Sequence, residues 1–127
     1  MGPNEVLDKG FIADGEVPQF YVVEQTDVDH CDLQTTAGGD WVGICQEAAD
    51  ELDVANRRVV RVRTMGISRG VAAEAITIRT RVAANTAGKL VEAGADDYVV
   101  GIAVSPADED GDWFNVQLTP GVQNPSA

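Results

Sequence analysis

The chain has 127 residues, a formal net charge of −12, 44% hydrophobic residues and 6% aromatic residues. That is the size and composition of one ordinary globular domain with a modest core. The acidity disfavours nucleic acid, whose phosphates it repels, and no apolar run approaches the ~20 residues of a membrane helix.

Met1 to Glu5 lack the basic-then-apolar pattern of a signal peptide, so synthesis in a cytoplasm is expected. Residues 1–20 read as an extended N-terminal arm, because Gly2, Pro3, Gly10, Gly15 and Pro18 break any periodicity. Phe11 and Ile12 are the side chains by which such an arm would anchor to a partner. Residues 21–119 read as a β-rich domain and 120–127 as a Gly/Pro tail.

Phe20 to Val23 has strand composition. Asp27 to Asp32 reads as an acidic loop, Ala37 to Asp40 as a turn and Trp41 to Cys45 as a short apolar strand. Glu47 to Val54 reads as a loop with some helix. Arg58 to Met65 is the clearest strand, with Val60, Val62 and Thr64 on one face and Arg61 and Arg63 on the other. Val71 to Ala75 is a candidate short helix. Ile76 to Val82 reads as a second strand with Arg79 and Arg81 outward. Lys89 to Glu92, the apolar run Tyr98 to Val104 and the alternating Trp113 to Leu118 complete the series. Many short strands separated by turns imply an all-β fold, a small barrel or sandwich with at most one short helix.

Two patterns cross these elements. Every basic residue except Lys9 lies between positions 57 and 89, where Glu74 is the sole acid. A basic middle is therefore flanked by acidic ends. The two arginine ladders, Arg61/Arg63 and Arg79/Arg81, are either a solvated face balanced by acids of the same chain or a contact to a subunit or partner. Second, Val42-Gly43-Ile44-Cys45 echoes in Val100-Gly101-Ile102-Ala103. An acidic stretch follows each, and then an alternating strand that closes on Gly66 or Gly121. Two similar strand–loop–strand units are a natural way to build a small barrel.

No catalytic apparatus is legible. His30 is the lone histidine, and adjacent Cys31 would point to the opposite face of a strand. No phosphate-binding glycine loop occurs. Cys31 and Cys45 lack zinc-ligand spacing and read as reduced thiols, Cys45 buried. Asp108-Glu109-Asp110-Gly111-Asp112 has alternating acids but lacks the length and terminal glutamate of an EF-hand. Neither a cofactor nor a metal is expected. Trp41, Trp113, Tyr21 and Tyr98 are either core and interface residues or a stacking surface for a ligand such as a sugar.

One resemblance is carried by Gly39-Asp40-Trp41-Val42-Gly43-Ile44, Arg58-Val59-Val60-Arg61-Val62, Ala87-Gly88-Lys89-Leu90-Val91-Glu92-Ala93, Val100-Gly101-Ile102-Ala103-Val104 and Phe114-Asn115-Val116-Gln117-Leu118. Over roughly residues 35–120 the chain resembles the small head decoration (capsid cement) proteins of tailed phages. It departs from them in Cys45 and in a more acidic arm. The resemblance implies a β-rich, cofactor-free protein on the outer surface of the virion. Its partner would be the major capsid protein, and it would self-associate as a homotrimer. The expected contacts to subunits or partner are Phe11, Ile12, Arg61, Arg63, Arg79, Arg81, Trp41 and Trp113. The alternative is a non-enzymatic carbohydrate- or receptor-binding module of a phage head or tail.

Overall fold

The computed structural model describes residues 6–126. It contains ten strands and one short helix in two successive sets. The first set is β1 (Leu7–Ala13), β2 (Val22–Asp27), β3 (His30–Leu33), β4 (Gly43–Cys45), α1 (Glu51–Ala55) and β5 (Val59–Met65). The second is β6 (Ile67–Val71), β7 (Arg81–Ala84), β8 (Leu90–Glu92), β9 (Gly101–Ala103) and β10 (Trp113–Leu118). The all-β expectation, with one short helix, holds.

The first set closes into a barrel in the order β1-β3-β2-β4-β5, and β5 pairs antiparallel with β1. The second forms a five-stranded sheet in the order β6-β10-β9-β7-β8. Its outer strands meet through one parallel bridge, Ala72–Leu90. The bridge matches the parallel β1–β3 seam, where Ala13 pairs with Cys31. The second sheet therefore repeats the cyclic order of the first.

The repetition extends to single residues. The Val17–Ala49 bridge recurs as Ile76–Ala107. The Val22–Ile44 and Val23–Gly43 pairs recur as Arg81–Ile102 and Val82–Gly101. Left-handed residues also recur in equivalent turns: Phe20 with Arg79, Asp29 with Gly88, Gly38 with Asp96, and Arg57 with Gly111. The Val-Gly-Ile echo marks the β4/β9 equivalence. A β-carbon on Gly43 would strike the Arg63 carbonyl, and one on Gly101 would strike the Gln117 carbonyl. Close approach of the neighbouring strand thus demands glycine at both places.

Each interior is filled by alternate residues of its strands. Phe11, Val23, Cys31, Cys45, Val60 and Val62 fill the first barrel. Val82, Leu90, Ala103, Phe114 and Val116 lie in the core of the second sheet. One large ring serves each interior at opposite sides of equivalent pairs. Phe11 on β1 faces Val60 on β5, whereas Gly70 on β6 faces Phe114 on β10. The outward sides of Val22 and Ile44 join the second core and are fully buried there. Each contributes about 1.5–3 kcal/mol by leaving water. The junction is tied by Val22 N–H to Gly88 O (2.9 Å), Gly38 N–H to Ala84 O (2.9 Å) and Gln46 Nε2 to Ser68 Oγ (2.8 Å).

Four local expectations are corrected. From Leu7 onward the expected arm is a barrel wall, because β1 pairs with β5 from Leu7–Met65 to Ile12–Val59. Gly10 does not break this strand but makes room on it. A β-carbon there would lie 2.7 Å from Val59 Cγ1. Residues 1–5 of the expected arm, and residue 127, lie outside the described residues. Ile76 to Val82 is not one strand. Thr80 N–H donates to Thr77 O (3.3 Å) and Arg79 has φ 74°, so a turn separates the Ile76 bridge from β7. Ile78, expected inward, is exposed. Val71 to Ala75 is the end of β6 and a bend rather than a helix. The acidic loop of 27–32 is a hairpin turn that enters β3 at His30.

The helix that does form is short and capped. Asp50 accepts from Asp53 N–H (2.9 Å) and Asp53 accepts from Asp50 N–H (3.1 Å), a reciprocal capping box. The tail residues 122–125 lie along the 94–99 loop, with Val99 N–H bonded to Val122 O (2.8 Å) and Asn124 N–H to Asp97 O (2.9 Å).

Candidate interaction surface

The eight residues expected to make contacts are not gathered into one site. Phe11 is buried inside the first barrel with the Lys9 ammonium 4.5 Å from its ring centroid. Ile12 is half-buried on the outer side of β1, beside a shallow depression lined also by Asp14, His30, Val54 and Arg57.

Arg61 and Arg63 project outward from β5, as the alternation requires, and both meet Asp8 on β1. Arg63 donates from Nε to Asp8 Oδ1 (2.8 Å) and from Nη2 to Oδ2 (3.2 Å), a two-pronged pair at a part-buried site. Arg61 Nε lies 3.4 Å from Asp8 Oδ2. The hydrogen bonds from Arg63 hold the Asp8 carboxyl below the usual carboxylate range, against the opposing effect of burial. This ladder is balanced by an acid of its own chain.

The other expected ladder has no such acid. Arg81 Nη1 reaches only the Asn124 amide oxygen (3.2 Å). Arg79 sits in the turn before β7. Among the described residues, neither makes an ion pair, and nor does Arg69 on β6. Arg69 was not legible as a contact residue, since Gly66 and Gly70 read as breaks around it. The Ile67-Ser68-Arg69 alternation was the available signal.

The tryptophans differ in setting. Trp41 is half-buried against the second core and donates from Nε1 to Val99 O (3.1 Å). It also borders a groove of about 440 Å³ with Glu24, Gln25, Asp27 and Asp40. Trp113 is 53% exposed. Phe20 meets it edge to face with centroids 5.0 Å apart, and the Arg69 guanidinium lies 5.5 Å from its centroid.

The histidine, the two cysteines and the acidic loop each have a defined setting. His30 Nδ1 is 2.7 Å from Asp14 Oδ1. Cys31 and Cys45 are free thiols within the first barrel. Burial pushes the Cys31 thiol up to about 12 and raises that of Cys45, whose Sγ donates to Glu47 O (2.8 Å). In the acidic loop 108–112, Asp112 accepts from the N–H groups of Asp108 and Glu109, and Asp110 meets Lys89 (2.9 Å).

Neither a family model nor a curated protein matches the chain. Among solved structures, it is similar to the head fiber gp8.5 N base in bacteriophage phi29. The TM-score is 0.68 at 14% sequence identity, over 91% of this chain and 95% of that chain. The likeness is one of fold, and it spans both halves of the duplicated architecture.

Proposed function

We propose that the chain is a structural protein of a bacteriophage head. It would bind the exterior of the shell as a decoration or cement protein that bridges capsid subunits. The observation that carries this reading is the nearly end-to-end fold likeness to a phage head fiber base. The likeness of several of its segments to phage decoration proteins points the same way. On this reading the partner is the major capsid protein, the protein self-associates as a homotrimer, and it performs no catalysis. Inert, buried thiols and a histidine committed to a surface carboxylate support a binding role. Weak contacts repeated over a closed shell would sum to large stabilisation.

The test is co-sedimentation with mature and immature heads, together with the mass of the free protein in solution. Saturable uptake on mature shells, with raised resistance of those shells to heat, is expected. Absence of uptake on either kind of shell would sink the proposal.

A second reading has its own observation. Trp41, Gln25, Asp27 and Asp40 line one groove, and an aromatic ring beside amide and carboxylate groups suits a sugar. A glycan-array signal lost in Trp41→Ala would favour it over shell binding.

A further inference from the structure

We propose that the outward wall of strands β6-β10-β9-β7 is the docking face, and that it takes a carboxylate-rich protein surface. This deepens the binding role above by naming the face and the chemistry of its partner.

The wall is defined by register. Ile67, Gln117, Ile102 and Arg81 form one row of successive strand partners. Arg69 and Asn115 form the row beside it, extended by the Val104 N–H bond to Asn115 O. The third pairs exposed Trp113 with Val71, which is itself buried. Ile78 and Arg79 flank the wall in the turn before β7, and Ile78 is 58% exposed. No outward position in these rows is acidic, although the whole chain carries 21 acids against 9 bases. Asp112, next to Trp113, turns its carboxylate into its own loop.

The duplicated fold supplies the internal comparison. The equivalent first row in the barrel is Asp8, Arg63, Ile44 and Val22. There the arginine is paired with Asp8, and Ile44 and Val22 are sealed beneath the second sheet. That wall is already used, as the junction between the halves. In the second sheet the isoleucine of this row is half-exposed, and its arginine is paired with no carboxylate among the described residues. Arg69 stacked on an exposed Trp113 adds a flat, weakly hydrated cation, the form of positive charge that best docks onto carboxylates. Charge complementarity selects the occupant: three arginines without carboxylate partners among the described residues call for an acidic surface.

The test needs no phage shell, so its failure is separable from failure of shell binding. The ¹⁵N-labelled full chain is titrated at low salt with a deca-glutamate peptide. In parallel it is titrated with a ten-nucleotide single-stranded DNA and followed in a dilution series without ligand. The peptide is expected to move the Trp113 indole signal and the Arg69, Arg79 and Arg81 Nε–H signals, and added salt should reverse the shifts. Arg69→Gln with Arg81→Gln, which keeps the surface polar, should weaken binding about tenfold. Arg58→Gln, which lies on the other half and pairs with Asp53, should leave it unchanged. Shifts absent from this wall would overturn the proposal. So would equal affinity for the DNA, which makes the wall a phosphate binder. Shifts that follow protein concentration alone would also overturn it, since they make the occupant a second copy of the chain.

Discussion

Leu90 occupies the space that a side chain on Gly70 would need. A β-carbon at Gly70 would lie 2.5 Å from Leu90 Cδ1. In the first barrel the equivalent pair is Phe11 and Cys31. The interior volume is therefore shared in opposite ways: a large ring with a small thiol in one half, a bare backbone with a leucine in the other. Gly70→Ala is expected to destabilise the protein by about 1–3 kcal/mol through overpacking. The double variant Gly70→Ala/Leu90→Val should recover part of that loss. Urea unfolding monitored by far-UV circular dichroism measures both, and additive losses would contradict the shared space.

The Asp8–Arg63 pair makes stability depend on pH. Asp8 has a folded-state pKa below its ordinary value of 3.8. Its contribution is complete above the unfolded value and is lost as pH falls through the lower, folded value. The urea midpoint should therefore fall as the solution is acidified below about pH 5, and less steeply in Asp8→Asn. At pH 7, Asp8→Asn should cost about 1–3 kcal/mol, because Arg63 is left part-buried without its carboxylate.

Both thiols should be silent in the folded protein. With Cys31 pushed up to about 12 and both groups buried, neither is a thiolate at pH 8. Intact-mass analysis after iodoacetamide treatment should find no adduct in buffer and two in concentrated urea. Rapid labelling of the native protein would show that the first barrel opens readily.

Removal of residues 1–19 should unfold the first barrel rather than trim an appendage. β1 supplies Phe11 and Ala13 to the core and seals the barrel between β3 and β5. Circular dichroism should show loss of strand signal and of a cooperative transition. An unchanged spectrum would mean that β1 is dispensable.

Much of this architecture was legible in the chain. Alternation in Val60-Arg61-Val62 and in Phe114-Asn115-Val116 specified which side chains turn inward, because strand geometry leaves little choice. The Val-Gly-Ile echo marked a true duplication, since strand crowding demands glycine in both β4 and β9. Where local reading failed, a neighbouring strand had overridden local preference. Gly10 reads as a break but is the gap into which Val59 fits. Arg79 reads as part of a strand, yet it takes the left-handed turn that Phe20 takes in the first half.

Composition, strand periodicity and the segregated charge were thus determined by the sequence itself, for they depend only on residue type and spacing. Which arginines are spent and which stay available was decided by tertiary structure. Asp8 is far from Arg63 along the chain and adjacent only through the β1–β5 register. The second sheet buries Val22 and Ile44 in the first half, while the matching Arg81 and Ile102 stand on the outward wall of the second sheet.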